Sequence, residues 1–196
     1  MSISLKNDAG TFSTNLNQSN PTENVNIALP TTSGTMAKVE DKLVLGTAYT
    51  FTGTETFKDF TGIPSWAKRI TVMFNGVSTS GTSLLIVQIG DGTIQSTGYV
   101  GSSTVADASI GYSAYSSGFI VCDALVSTQN CRGAMEILSF STTAYVEKHA
   151  ISMNSADATS IGAGSKTLSA TIDRIRITTV NGTDLFDAGS INIMWE

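Results

Sequence analysis

His149 is the only histidine in the 196-residue chain, and that bounds most of the chemistry open to it. A zinc site needs three or four Cys, His or carboxylate ligands, and Cys122 and Cys131 lack the Cys-x2-Cys spacing such sites use. Nucleophilic catalysis needs a base beside the nucleophile. His149 is the one imidazole available, and no Gly-x-Ser-x-Gly elbow presents a serine to it. It lies in an alternating stretch with polar neighbours and reads as a surface or barely buried ring.

Carboxylates are the more serious candidates. Glycoside hydrolysis needs two of them about 5–10 Å apart, and Asp91, Asp107, Asp123, Asp157, Asp184 and Asp187 all fall in or near expected loops. Aspartate is also common in turns because its side chain bonds nearby backbone N–H groups. Asp91-Gly92 and Gly182-Thr183-Asp184 suit that role. Asp184 and Asp187 could share a Ca2+ with backbone carbonyls, but no EF-hand spacing supports it. Gly162-x-Gly164 is followed by neither a helix nor a Gly-Lys-Ser/Thr sequence, so no phosphate loop is expected. The reading is of a non-enzyme without cofactor or metal. Recognition surface remains, and Tyr99, Tyr112 and Tyr115, flanked by Ser and Gly, are the ligand-binding candidates. Such rings give rigid amphipathic contact area with adaptable polar neighbours. The same tyrosines could instead cover a sheet edge or a subunit contact.

Short strands must position these residues. Charged residues are 14% of the chain, below the roughly 25% usual in soluble domains, with Ser and Thr in their place. The 18 glycines and 3 prolines, with abundant Thr, suit strands and tight turns rather than helices. Residues 1–47, poor in apolar side chains, cannot bury enough surface to fold alone and read as an extended attachment arm or stalk, with a short strand at Val25–Pro30. Residues 48–196 read as the head domain. Ile70, Val72 and Phe74 share one strand face, and Asn75-Gly76 then signals a type I′ turn. Ser83–Ile89 is nearly continuously apolar, as for a strand buried on both faces. Residues 101–117 show no period and read as a long loop. Ala144–Ile151 is a strand, and Gly162–Ser165 a flexible break. Leu168, Ala170, Ile172, Ile175 and Ile177 mark a long strand with a bulge near Asp173 or Arg174. Asn181-Gly182 turns the chain into a last strand carrying Ile191, Ile193 and Trp195. Trp195 is expected in the core, and Trp66 in the core or a subunit contact. The pattern predicts an all-β, antiparallel, jelly-roll-like β-sandwich.

The net charge of −5 with no basic stripe argues against nucleic acid. No apolar run is long enough for a membrane span, and Met1–Asp8 lacks the form of a signal peptide. A chain made in a cytoplasm keeps Cys122 and Cys131 as thiols, although a disulfide between them would close only a small loop.

Two stretches carry a resemblance. Phe60–Gly81 (FTGIPSWAKRITVMFNGVSTSG) and Ala163–Ile193 (AGSKTLSATIDRIRITTVNGTDLFDAGSINI) resemble a module that recurs in bacteriophage tail-fibre and related virion proteins. Leu29–Ala37 also looks like the short repeats of fibre shafts. The resemblance runs from about Leu45 to the end of the sequence. It implies a β-sandwich head on a stalk, usually a homotrimer, displayed on a virion assembled in the bacterial cytoplasm, with no catalytic residues. The arm would dock onto other virion proteins and the head meet a host-surface glycan or protein. A capsid decoration or tail connector protein without receptor binding is the alternative, and a glycan-degrading enzyme the third.

Overall fold

The computed structural model describes residues 43–106, 113–114, 116–122, 127–153 and 158–196, and residues 3–7, 10–14 and 110–112 in their backbone. By internal contacts the chain divides into Met1–Met36 and Ala37–Glu196. In the first unit, β1 (Ile3–Asn7) and β2 (Gly10–Thr14) form an antiparallel hairpin. The strand expected at Val25–Pro30 lies outside the described residues, as do Tyr115, Asp107, Asp123 and Asp157.

The second unit is all-β, with every strand pairing antiparallel among the described residues. Its strands are β3 (Val44–Leu45), β4 (Tyr49–Thr50), β5 (Phe57–Thr61), β6 (Arg69–Thr79), β7 (Leu85–Asp91), β8 (Thr93–Ile94), β9 (Tyr99–Ala106), β10 (Ile110–Ala114), β11 (Phe119–Cys122), β12 (Cys131–Ser139), β13 (Ala144–Met153), β14 (Ala158–Thr167), β15 (Arg174–Thr179) and β16 (Phe186–Trp195). The large sheet runs β10-β9-β14-β13-β12-β6-β16-β3, with β4 also on β16. The small sheet runs β11-β7-β15-β5, with β8 on β7. The chain passes repeatedly from one sheet to the other (β5 to β6 to β7, β9 to β11 to β12, β14 to β15 to β16), the alternation that makes the sandwich jelly-roll-like.

One apolar core fills the space between the sheets. The alternation of β6 buries Ile70, Val72 and Phe74 against Ile175 and Ile177 of β15 and Ile191 and Ile193 of β16. Phe51 stacks on Phe186 at 4.3 Å, and Tyr99 meets Phe119 edge-on at 4.8 Å. Each such buried side chain contributes about 1.5–3 kcal/mol. β7 is buried on both faces from Leu85 to Gly90, as its continuous apolar run requires.

Several local expectations need correction. Asn75-Gly76 does not reverse the chain. It lies within β6, where Gly76 has φ +70° and the pairing to β12 slips between Cys131↔Val77 and Arg132↔Asn75. The positive φ builds a β-bulge that bends the strand, which is why the buried parity passes from Phe74 to Val77. Residues 101–117 are not a loop: Tyr99–Ala106 and Ile110–Ala114 pair as β9 and β10. In β9 the inward residues between buried Tyr99 and Val105 are Gly101 and Ser103, and this gap in apolar side chains hides the period. Gly162–Ser165 lies within β14 rather than breaking the chain. The Leu168–Ile177 stretch is two strands, not one bulged strand. β14 ends at Thr167 in the large sheet and β15 begins at Arg174 in the small one, and buried Leu168 and Ile172 anchor the crossing. Finally, Cys122 and Cys131, both fully buried, are joined as a disulfide across a separation of 9 residues. They end β11 and begin β12, so the bridge ties one sheet to the other where the chain crosses.

Candidate binding cleft

Tyr99 is an interior residue, 2% exposed. Its phenol accepts the Ile89 amide at 2.7 Å and donates toward Gln95 O at 2.9 Å. Burial pushes its pKa well above the usual phenol range. This ring packs the core and holds β9 to the β7–β8 end of the other sheet. Tyr112 is in β10, opposite Thr104 of β9.

His149 is not at the surface. β13 alternates so that Tyr145, Glu147, His149, Ile151 and Met153 all face inward. His149 Nδ1 is 3.1 Å from Glu147 Oε2, its Nε2 is 3.3 Å from Ser103 Oγ, and Ser103 Oγ is 2.8 Å from Ser160 Oγ. An Nδ1–H facing the Glu147 carboxylate leaves Nε2 to accept from the Ser103 hydroxyl. This order of acid, imidazole and hydroxyl has the connectivity of a nucleophile-activating triad. The Glu147 and His149 side chains are 0% exposed, and Ser103 and Ser160 are as deeply buried. The His149 ring lies against Gly162, where a Cβ would sit 2.3 Å from Cε1. A substrate carbonyl has no space beside Ser103. The cluster is a polar inclusion in the core, with Glu147 Oε1 lacking a hydrogen-bond partner among the described residues.

The aspartates do local work. Asp184 accepts the Ser83 amide at 2.9 Å and Asn181 Nδ2 at 2.6 Å, and Asp187 accepts from Ser78 Oγ. Asp91 accepts the amides of Ser169 and Ala170 and the Ser169 hydroxyl, which hold its carboxyl below the usual range. No group of three or more potential metal ligands occurs among the described residues.

Concave surface with exposed, chemically varied side chains lies instead at one edge of the sandwich. There β5 ends the small sheet and the two-residue strands β3 and β4 end the large one. Gly46–Ala48 separates these two strands. Gly46 lies so close to β16 that a Cβ would be 2.9 Å from Ile193 O, and the Gly46 amide donates to that oxygen. The sheets do not close over this gap, leaving a cleft of about 300 Å³ lined by Tyr49, Lys58, Phe60, Thr61 and Trp195 among others. Lys58 and Phe60 are the inward-facing residues of β5, and at this edge strand both line the cleft while Phe60 also packs on the core.

Charge in the cleft is arranged asymmetrically. Asp59 is engaged by Arg176, whose Nε and Nη2 each donate to it at 2.7 Å. Lys58 Nζ sits 4.0 Å above the Tyr49 ring centroid, within cation–π range, and has no carboxylate within ion-pair distance among the described residues. Tyr49 is fixed from its other end, its hydroxyl donating to Glu55 Oε1 at 2.7 Å. Glu55 also accepts the Thr52 hydroxyl and the Thr52 and Thr54 amides. These donors, Thr52 first, hold its pKa down at about 2. A second groove, on the outer face of the small sheet near Phe57, Gln88 and Thr178, presents its cation differently. Arg176 there is committed to Asp59 and stacked on Phe57 at 4.1 Å.

Sequence reasoning passed over Tyr49, Lys58 and Phe60 and assigned Trp195 to the core. Trp195 is half-buried and packs on the core from the rim, as does Trp66. The available signal was a cation and an aromatic alternating on one strand face, at Lys58 and Phe60. It points to a site only once β5 is known to be an edge. Comparison with protein-family models, curated proteins and solved structures finds no match to this chain.

Proposed function

We propose that this protein is a structural virion protein of a bacteriophage, a fibre whose β-sandwich head is displayed on the particle and contacts the host surface, and that it acts without catalysis. The observation that carries the reading is how the two fibre-like stretches come together. Phe60–Gly81 supplies β6, and Ala163–Ile193 supplies much of β14, all of β15 and most of β16. β6 and β16 pair in the large sheet, Phe74 opposite Ile191, and β15 pairs with β5 in the small one. The blocks form one contiguous unit, as a shared module would.

Homo-oligomerisation is supported by the outer face of the large sheet, and the trimeric form is what the resemblance implies. Its outward side chains on β9, β13 and β14 include Val100 and Ile161, 69% and 53% exposed, with Val146, Ala150 and Ala163. Lys148 is the charged residue among them and is paired with Glu136 at 3.1 Å. A wide face with so little free charge suits a partner subunit better than water. The residues before the head are read as the segment that docks onto the particle.

Adsorption competition tests the proposal. Purified protein in excess should slow attachment of the parent phage to host cells, and sedimentation should give a trimer. A folded oligomer that leaves adsorption unchanged would replace the receptor-binding role with that of a decoration or connector protein.

A further inference from the structure

We infer that the cleft between β5 and the β3–β4 edge is a saccharide subsite for a carboxylate-bearing pyranose of the uronic-acid type, with the Lys58 ammonium receiving the sugar carboxylate and an aromatic wall receiving the sugar's apolar face. This deepens the host-contact reading and rests on it for the biological source of the sugar, but not for binding itself.

Three observations converge. The first is shape and surface. A pyranose has one C–H-rich face and an equatorial rim of hydroxyls, and the cleft offers the complement. Phe60 and Trp195 are half-buried aromatic rings on its walls beside Tyr49, whose ring carries Lys58, and Thr47 and Thr61 are exposed hydroxyls at its mouth. Its volume of about 300 Å³ is at the small end of ligand sites, which fits a single ring or a terminal residue rather than a long chain lying flat.

The second is charge. Lining charge comes from Lys58 and Asp59, and Asp59 is neutralised by the two-pronged Arg176 contact. Glu55 turns toward its own Thr52–Thr54 donors rather than the cleft. The remaining charge is the Lys58 ammonium, held in place by a π-face but not paired. A ligand carboxylate would meet a cation that need not break an existing ion pair, and the interaction would be short-range and salt-sensitive.

The third is rigidity. Tyr49, which carries the cation, is fixed by its own hydrogen bond to a four-donor carboxylate. Asn192 Nδ2 clamps the cleft floor by donating to Gly46 O at 3.0 Å. The site is therefore largely preformed, which lowers the ordering cost of binding.

The test uses the full chain. Saturation-transfer NMR and calorimetry would compare a glucuronic-acid-terminated oligosaccharide with the glucose-terminated equivalent, for the wild type, Lys58→Met and Lys58→Arg. Thermal melts would confirm that both variants fold. The wild type should bind the uronate about tenfold or more tighter than the neutral sugar, with the preference falling as salt rises. K58M should abolish the preference and K58R retain it. Absence of saturation transfer from the uronate to the wild type would overturn the inference without reference to any variant, as would equal uronate binding by K58M. Adsorption competition with the same proteins separates the two readings. If wild type and K58M block attachment equally, the displayed head stands and the subsite has no part in adsorption, whatever its affinity for the uronate. If the uronate binds through Lys58 while neither protein slows attachment, the subsite stands and the receptor role falls.

Discussion

Gly162 and His149 face each other across β14 and β13, and the ring fills the volume that a side chain at 162 would need. A Cβ there would meet Cε1 at 2.3 Å, Nε2 at 2.8 Å and the Ser102 carbonyl at 2.8 Å. The carbonyl belongs to a paired strand and cannot yield. Gly162→Ala should therefore overpack the interior and destabilise the sandwich by about 1–3 kcal/mol. Ala163→Ser, one residue along on the outward face, should stay within about 0.5 kcal/mol of wild type. Urea denaturation of the two variants checks both values, and equal stability would remove the steric argument.

The buried pair itself should behave non-additively. Removing one partner of a buried ionisable pair costs about 3–5 kcal/mol, whereas replacing both with apolar residues is often near neutral. His149→Leu would leave Glu147 Oε2 without its ring partner at a site where Oε1 already has none among the described residues. Glu147→Leu together with His149→Leu should cost less than either single change. A double-mutant cycle measures the coupling, and simple additivity would show that the two side chains do not act as a pair.

The bridge between the sheets should be measurable as stability. A cross-link closing a loop of this size, 9 residues of separation, is worth about 2–3 kcal/mol. Purified native protein should show no thiol reactive to a labelling agent. Reductant or Cys122→Ser with Cys131→Ser should lower the unfolding midpoint accordingly. Two titratable thiols in the native protein would show that the bridge does not form in solution.

Acid should loosen the cleft before the core. The Glu55 carboxyl sits at about 2 in the folded protein against an ordinary 4.5. A depressed acid stabilises the folded state fully above its unfolded pKa and loses that contribution as pH falls toward the folded one. The advantage of wild type over Glu55→Gln should be complete above pH 4.5 and shrink toward pH 2. Melting curves across that interval follow it, with the NMR resonances of the Tyr49 ring as the local reporter. A stability difference that does not change with pH would remove the carboxylate from this role.

The sequence reading was strong where one physical rule acted alone. β7 was visible because a strand buried on both faces must be apolar throughout, and the Asn181-Gly182 turn because Gly182 adopts φ +68°. It failed where two uses of one residue type compete. Gly76 has a positive φ, as a turn signal requires, but whether the chain reverses or merely bulges depends on β12 and β16 alongside it. Gly162 read as a flexible break because its neighbours gave no hint that an imidazole from another strand occupies its side-chain space. β9 was missed because Gly101 and Ser103 occupy the inward positions between buried Tyr99 and Val105, so the alternation of hydropathy is interrupted in the middle of the strand. The cleft was illegible for a related reason. Lys58 and Phe60 follow the same alternation as core residues, and only the order of strands across the sheets shows that β5 is an edge with nothing beyond it.

The pairing of β16 also bears on how this sandwich is made. Its residues, Phe186–Trp195, hydrogen-bond to β3, β4 and β6, all of which leave the ribosome long before it. Until then β6 has a bare flank on the side that β16 will occupy, β3 and β4 have nothing to pair with, and Ile191 and Ile193 are missing from the core. A nascent chain in that state presents an unpaired edge of 11 residues, the kind of surface that recruits other chains. The large sheet is thus closed on this side only when β16 joins strands made well before it.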